Sequence, residues 1–297
     1  MKCLEVNLKM SNKILRIDYK KKINNDLMTK IFHSFQKNGV VIVNNVLTKK
    51  KCKDLIKLLD YNYTKYSKYF YNEKKVSKIS ARFGAKVLDN LHNKNFEFVK
   101  LIDKKKILHL VKHFLQKGSY LNKGEIICQD FGARTPTGIT KPQQLHNDAR
   151  IVGTKFPIMV NTMWALDPFT KDNGATRYVI GSHKSLNFPK NGKKYNKEII
   201  IELPIGSVII FNSQVWHGGS KISKNNIRRW SIIIRYSRWY YKTSFDFYKN
   251  TTSKIFSLMN NTQKDLLGFR FVPPIDEFTA SSTRQKYHLK PKGYKLP

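Results

Sequence analysis

The sequence predicts a mainly β domain, a sandwich or barrel of short strands, with helices ahead of it. Two observations lead there. From residue 124 the apolar pattern changes from helical to strand-like period. The short β-branched and aromatic runs that follow are separated by turn signals, Asp172-Asn173-Gly174, Pro204-Ile205-Gly206 and Gly218-Gly219. Composition agrees: 297 residues at 40% hydrophobic and 12% aromatic can bury a sizeable core and are too apolar for a disordered chain.

Element by element, DLMTKIFHSFQKNG repeats its apolar residues at helical spacing and stops at Gly39; Val40–Val43 is a short strand. Thr48 then caps KKKCKDLIKLLDY, whose Cys52, Leu55, Ile56, Leu58 and Leu59 form an apolar stripe. Residues 61–75 interleave aromatics with lysines, a pairing that base stacking uses and that an ordinary amphipathic segment or a lid shares. Residues 95–118 continue the helical period; His109 and His113 lie four apart there, but no acidic residue accompanies them and they read as surface or packing side chains. Strand candidates are residues 125–131, 144–148, 157–166, 176–180, 198–203, 207–211 and 229–236, and one helix is expected near 251–266. No linker poor in hydrophobic residues divides the chain. Residues 1–297 therefore read as one domain, with a mostly helical flank over 1–120, a strand-rich core over 121–240 and a C-terminal extension over 241–297.

No apolar run approaches the ~18–20 residues of a membrane span, and the N-terminus carries scattered charges without an apolar signal core, which points to a cytoplasmic protein. Cys3, Cys52 and Cys128 are odd in number and far apart, as reduced thiols would be. The charge is extreme, 56 Lys+Arg against 20 Asp+Glu for a formal +36. A nucleic-acid, anionic-lipid or acidic-substrate partner is one source. The other is compositional: Lys, Asn, Ile, Tyr and Phe are abundant together, as AT-rich codons dictate, and the lysines are spread along the chain. Either way the field favours an anionic small substrate.

The chemistry concentrates in Leu145-His146-Asn147-Asp148 and Trp216-His217-Gly218-Gly219. Residues i and i+2 of a strand share a face, so His146 and Asp148 can bind one metal while Asn147 points away. With His217 they make two imidazoles and a carboxylate, the facial set that holds Fe(II) and leaves three positions open. An arginine beyond the second histidine is what such a site needs to hold a dicarboxylate as well.

The runs LHND, WALDPFTKDNGATRYVIGSHK and PIGSVIIFNSQVWHGGSKISKNNIRRWSIIIRYS resemble the phytanoyl-CoA dioxygenase family of Fe(II)/2-oxoglutarate-dependent oxygenases, and GVVIVNNVLTKKKCKDLIKLL resembles its opening strand and helix. The resemblance spans about residues 38–240 and implies a double-stranded β-helix, a cupin-like jelly roll, with N-terminal helices flanking it. It implies Fe(II), 2-oxoglutarate and O2 as cofactors, His146, Asp148 and His217 as metal ligands, and Arg228, eleven residues after His217, on the distal carboxylate of 2-oxoglutarate. Gln129 would bond the iron-side carboxylate, Asn161 and Thr162 would line the cosubstrate pocket, Trp164 and His183 would be structural, and Asn173-Gly174 a turn. The expected reaction is hydroxylation of an unactivated C–H of a small, anionic metabolite with release of succinate and CO2. Related halogenases carry a small residue where Asp148 stands, so the carboxylate favours hydroxylation. The rival is a non-catalytic basic jelly-roll binding protein for nucleic acid or an anionic ligand; an oxygenase acting on a macromolecule is a further alternative. Nucleic acid is disfavoured as a partner, and oligomeric state is open.

Overall fold

The computed structural model describes residues 14–71, 85–116, 126–136, 141–223, 228–270, 272–273, 276–278 and 293–296. Two sheets and a helical layer stack on one another. The large sheet has seven strands in the order β1 (Arg16–Asp18), β2 (Val40–Asn44), β8 (Val208–Asn212), β5 (Met159–Ala165), β10 (Ser231–Arg238), β4 (Ile126–Pro136), β3 (Ala85–Asp89). β1 and β2 pair in parallel and the other neighbours antiparallel. The small sheet is β7 (Glu198–Ile200), β6 (Thr176–Val179), β9 (His217–Gly219). The structure is a jelly roll, as expected.

Alternation along the strands builds the layers. On β2, Val41 and Val43 face the helices while Val40 and Ile42 face the small sheet; on β8, Val208 and Ile210 divide in the same way from Ile209 and Phe211. Each strand of the large sheet therefore serves two cores. The outer core receives α1 (Asn25–Asn38), α2 (Lys49–Tyr71), α3 (Leu91–Lys94), α4 (Phe96–Ile102), α5 (Lys105–Gln116) and α6 (Phe247–Asn250), with Phe35 stacked on Phe114 at 3.8 Å. α1 starts at Asn24, whose side chain accepts from the Leu27 N–H, and ends at Gly39 with φ +77°. A Cβ at Gly39 would stand 2.4 Å from Val215 and 2.6 Å from His183, so both conformation and space require glycine.

Several boundaries differ from expectation. The flank is less helical than the sequence period suggests: β1, β2 and β3 all precede residue 121 and complete the large sheet. β1 and β3 are short edge strands carrying Arg16, Asp18, Lys86 and Asp89, which hides their period. The 95–118 pattern is two helices broken at Asp103-Lys104. Residues 144–148 form no strand; His146 makes a single bridge to His217. The tail helix divides into α7 (Ser253–Leu258) and α8 (Asn261–Leu266), because Asn260 starts a fresh capping box with Gln263. The lysine–aromatic segment continues α2 as far as Tyr71, and residues 72–75 lie outside the described residues. Tyr63 and Tyr66 there are covered by Lys86 and Lys94 of the same chain, at 5.0 and 3.6 Å, and not left as a stacking platform. His113 stands edge-on to Phe32 at 5.1 Å, a packing role.

Candidate active site

The end of the jelly roll nearest β9 gathers the chemistry. The segment leading to His146 runs antiparallel to β9, joined by reciprocal backbone bonds between His146 and His217 of 3.0 and 2.9 Å. Gly218 permits this approach; a Cβ there would meet the carbonyls of Gln143 and Gln144 at 3.0 and 3.1 Å. The Asp148 N–H donates to the Ser213 carbonyl at 2.8 Å, which turns the chain back into the site. Asn147 points away as its position dictates: its amide holds the following turn, accepting from the Arg150 N–H and donating to the Ile151 carbonyl.

Ligand atoms of His146, Asp148 and His217 all lie within 4.8 Å of one another. The Nε2 atoms of His146 and His217 stand 3.7 and 3.4 Å from the two oxygens of Asp148. Each Nδ1 is taken by a backbone carbonyl, Gln144 at 3.1 Å for His146 and Val215 at 2.9 Å for His217. Those bonds put the ring proton on Nδ1 and turn a bare Nε2 lone pair toward the carboxylate, the orientation a metal-ligating histidine needs. Burial, reinforced by the neighbouring His217, pushes His146 down to about 4, so its ring is neutral near pH 7. Burial alone would raise Asp148, but His217 and Arg235 beside it hold the carboxyl well below its ordinary range. Tyr178 and Phe211 wall the His217 ring at 5.9 and 4.9 Å. These three side chains could hold a metal ion.

A cavity of about 1610 Å³ opens beside them, lined among others by Gln129, Arg229, Arg235 and Ser244. Gln129 donates to Ser244 at 3.0 Å, and its buried Oε1 has no partner among the described residues. Arg228, expected on the distal carboxylate, lies elsewhere. Its side chain is 55% exposed, faces Asp60 and Asp167 at 3.7 and 3.4 Å, and does not line the cavity. Arg229 lines it instead, its Nε bonded to the Asn173 carbonyl at 3.0 Å and its guanidinium 4.5 Å over the Phe169 ring. Strand parity explains the exchange. Trp230, Ile232, Ile234 and Tyr236 belong to the outer core, so Arg229 shares the inner parity of Ile233 and Arg235, and Arg228 does not. Burial pushes Arg229 down to about 10, with Tyr178 and Asp167 opposing, so it stays cationic at neutral pH.

The β5 residues point to opposite faces. Thr162 lies on the outer face with Trp164, accepting its indole N–H at 3.0 Å and donating to the Ile234 carbonyl at 3.1 Å, and is not among the residues lining this cavity. Trp164 is core, as expected. Asn161 faces inward yet does not line the cavity. Its amide donates to Asp148 at 2.5 Å and accepts from Ser213 at 2.6 Å, steadying the carboxylate. Asn173-Gly174 is the expected turn, with Asn173 bonded to Thr170 and Pro168. His183 bonds the Gln36 carbonyl beside Gly39.

Two functional candidates went unnoticed in the sequence. Arg235 pairs with Asp130 and reaches Asp148 at 3.4 Å. Burial alone would lower it, but Asp148, Asp130 and Asp89 hold it above its ordinary value. Its inner parity with Arg229 was the available signal. The Tyr178 hydroxyl is buried without a hydrogen-bond partner among the described residues; a tyrosine in a strand gives no warning of that.

A jelly roll that converges two imidazoles and a carboxylate at the mouth of one cavity defines a class of mononuclear metal proteins. The family model for phytanoyl-CoA dioxygenase (PhyH) matches residues 35–230, and the chain belongs to that family. An uncharacterized protein of Mycobacterium tuberculosis is 27% identical over 144 residues, 48% of this chain and 52% of that protein, so the chain spans about half the length of the mycobacterial relatives it matches. The dioxygenase olcK of Penicillium canescens is 22% identical over 284 residues and 90% of each chain. Among solved structures, HygX of Streptomyces hygroscopicus with nickel and 2-oxoglutarate bound superposes with a TM-score of 0.56 at 13% identity, over 74% of this chain and 89% of that one. That likeness is one of fold. No described helix is long and apolar enough to cross a membrane.

Proposed function

We propose that the chain is an Fe(II)/2-oxoglutarate-dependent dioxygenase that hydroxylates an unactivated C–H bond of a small anionic metabolite in the cytoplasm. The observation that carries this is the convergence of two Nε2 atoms on the Asp148 carboxylate while both Nδ1 atoms are engaged by carbonyls. That donor set suits Fe(II) and leaves positions for a chelating 2-keto acid and for oxygen. Family membership supports the same reading.

His146, Asp148 and His217 would hold the ion. Arg229 would fork onto the distal carboxylate of 2-oxoglutarate, with the unpartnered Tyr178 hydroxyl as a second donor nearby. The free Oε1 of Gln129 sits on the same cavity; rotation of its amide would offer an N–H to the cosubstrate's other end. Bound Fe(II) with 2-oxoglutarate and O2 supplies oxidative decarboxylation to succinate and CO2 and delivery of one oxygen atom to carbon. The chain's part is to turn both Nε2 atoms toward Asp148, to fix Asp148 between Asn161 and Arg235, and to place one C–H of the substrate within the cavity.

The test is succinate formation from 2-oxoglutarate by purified protein with Fe(II) and ascorbate. The reading predicts slow turnover without substrate, abolished by Asp148→Ala; turnover unchanged in that variant would remove the assignment.

A further inference from the structure

Arg150, Asn191 and Tyr240 are both exposed and on the cavity wall, so they stand where the cavity opens to solvent. They belong to three loops, residues 149–157, 184–191 and 239–244. Printed contacts join the loops into one rim. The Tyr241 hydroxyl donates to the Ala149 carbonyl at 2.9 Å, and Arg238 donates from its backbone N–H to Ile158 and from Nε to Pro157, at 3.1 and 3.2 Å. These bonds fasten the third loop to the first. A Cβ at Gly153 would stand 3.1 Å from Cδ2 of Leu186, so the first loop lies against the second.

Among the described residues eleven large hydrophobic side chains are exposed, and five of them, Ile151, Leu186, Phe188, Trp239 and Tyr240, stand on these three short loops. The same loops expose Arg150, Lys155, Lys184, Lys190 and Lys242 and contain no Asp or Glu. A compositional drift toward lysine explains basic residues anywhere on the surface. It does not gather apolar side chains at one opening, and tryptophan is not among the residues it enriches. Trp239 is 48% exposed, whereas Trp164, Trp216 and Trp230 are buried. A contiguous exposed apolar patch rimmed by polar residues marks an interaction surface. The side-chain types identify the partner. Trp and Tyr settle at the headgroup level of a bilayer, Leu, Ile and Phe enter the acyl boundary, and Lys and Arg meet anionic headgroups. Single-stranded nucleic acid would instead stack bases on successive aromatic faces. Ile151 and Leu186 offer no ring, and Trp239 and Tyr240 stand edge to face at 80° with centroids 5.9 Å apart.

We propose that this rim docks on an anionic lipid surface, with Ile151, Leu186 and Trp239 entering the headgroup boundary and Lys155 and Lys184 beside them meeting the lipid charge. The cavity then opens onto the membrane surface. The proposal goes beyond the dioxygenase reading and stands on the rim alone, so neither fails with the other.

The experiment is co-sedimentation of the full chain with vesicles of phosphatidylcholine and phosphatidylserine, and with vesicles of phosphatidylcholine alone, at physiological salt. Binding is expected only where phosphatidylserine is present. Tryptophan emission should shift to the blue on binding, and the shift should disappear in Trp239→Phe, because Trp239 alone among the four tryptophans is exposed. Trp239→Ala and the double variant Ile151→Ala, Leu186→Ala should each weaken vesicle binding tenfold or more. Lys155→Glu and Lys184→Glu should each weaken it threefold or more, whereas Lys57→Glu, exposed on α2, should change it less than twofold. Circular dichroism checks that each variant is folded. An equal loss in Lys57→Glu would mean diffuse attraction to the whole basic surface and would overturn the proposal. So would the absence of binding, binding without the blue shift, or unchanged binding in Trp239→Ala. Displacement of the vesicles by a single-stranded oligonucleotide whose own binding needs Trp239 would assign the rim to nucleic acid instead. Self-association lost in Trp239→Ala would assign it to a second copy of the chain.

Discussion

The two faces of the large sheet are made by the same strands and solve opposite problems. The outer face buries Val160, Trp164, Ile232, Ile234 and Tyr236 against the helices, and pairs the Thr162 hydroxyl and the Trp164 indole in the Trp164–Thr162–Ile234 chain of bonds. The inner face carries Asn161, Arg229 and Arg235 around the Asp148 carboxylate, and Gln129 beside it and Tyr178 on the facing small sheet keep unsatisfied atoms. Buried polar groups without partners are costly in a folded chain. Open polar atoms beside the His146–Asp148–His217 cluster mark the inner face as built for a ligand, while the outer face supplies the stability that tolerates it.

Mutations separate the faces. The largest effect should come from Asp148→Ala, which removes metal binding and succinate formation entirely while the far-ultraviolet spectrum keeps its native shape. Next, Trp164→Ala on the outer face should cost about 3–5 kcal/mol of stability, measured by urea unfolding, with the 2-oxoglutarate affinity of the folded fraction unchanged. A comparable loss of affinity would mean that the faces are not separable. Arg229→Ala should weaken 2-oxoglutarate by about 2–3 kcal/mol, ~30–150-fold, whereas Arg228→Ala should stay within about twofold, since exposed pairs such as those with Asp60 and Asp167 contribute little. Equal losses would restore Arg228.

The smallest predicted effect is on pH dependence. Burial pushes His92, which bonds Asn250, down to about 3, and His183 down to about 4. Both folded values lie below the ordinary histidine value. The unfolded chain therefore binds more protons between about 6.5 and 4, and stability falls as pH drops through that window. Melting temperature should decrease from pH 7 to pH 5, and His92→Gln should make that decrease smaller. A steeper decrease in the variant would contradict the assignment.

The inner face was partly legible in the sequence. His146, Asp148 and His217 stand out because the ligand types are rare, close in sequence at one end, and flanked by the glycines their approach requires. The central strands show because buried strands are continuous apolar runs. Distance from His217 points to Arg228, but side-chain direction follows parity along β10, and parity turns Arg229 toward the cavity. The same rule forbids adjacent Asn161 and Thr162 from sharing a pocket wall. β1 and β3 escaped because short edge strands with charged residues carry no clear period. Arg235 and Tyr178 escaped because a partner, or the absence of one, is a property of the assembled sheets.

The central claim is that the inner face holds a metal and a dicarboxylate together. Calorimetry of 2-oxoglutarate with and without Mn(II) tests it most directly. The account predicts one 2-oxoglutarate site that requires the metal, lost in Asp148→Ala together with metal binding and lost in Arg229→Ala with metal binding intact. Binding of 2-oxoglutarate that ignores the metal, or survives Arg229→Ala undiminished, would contradict it.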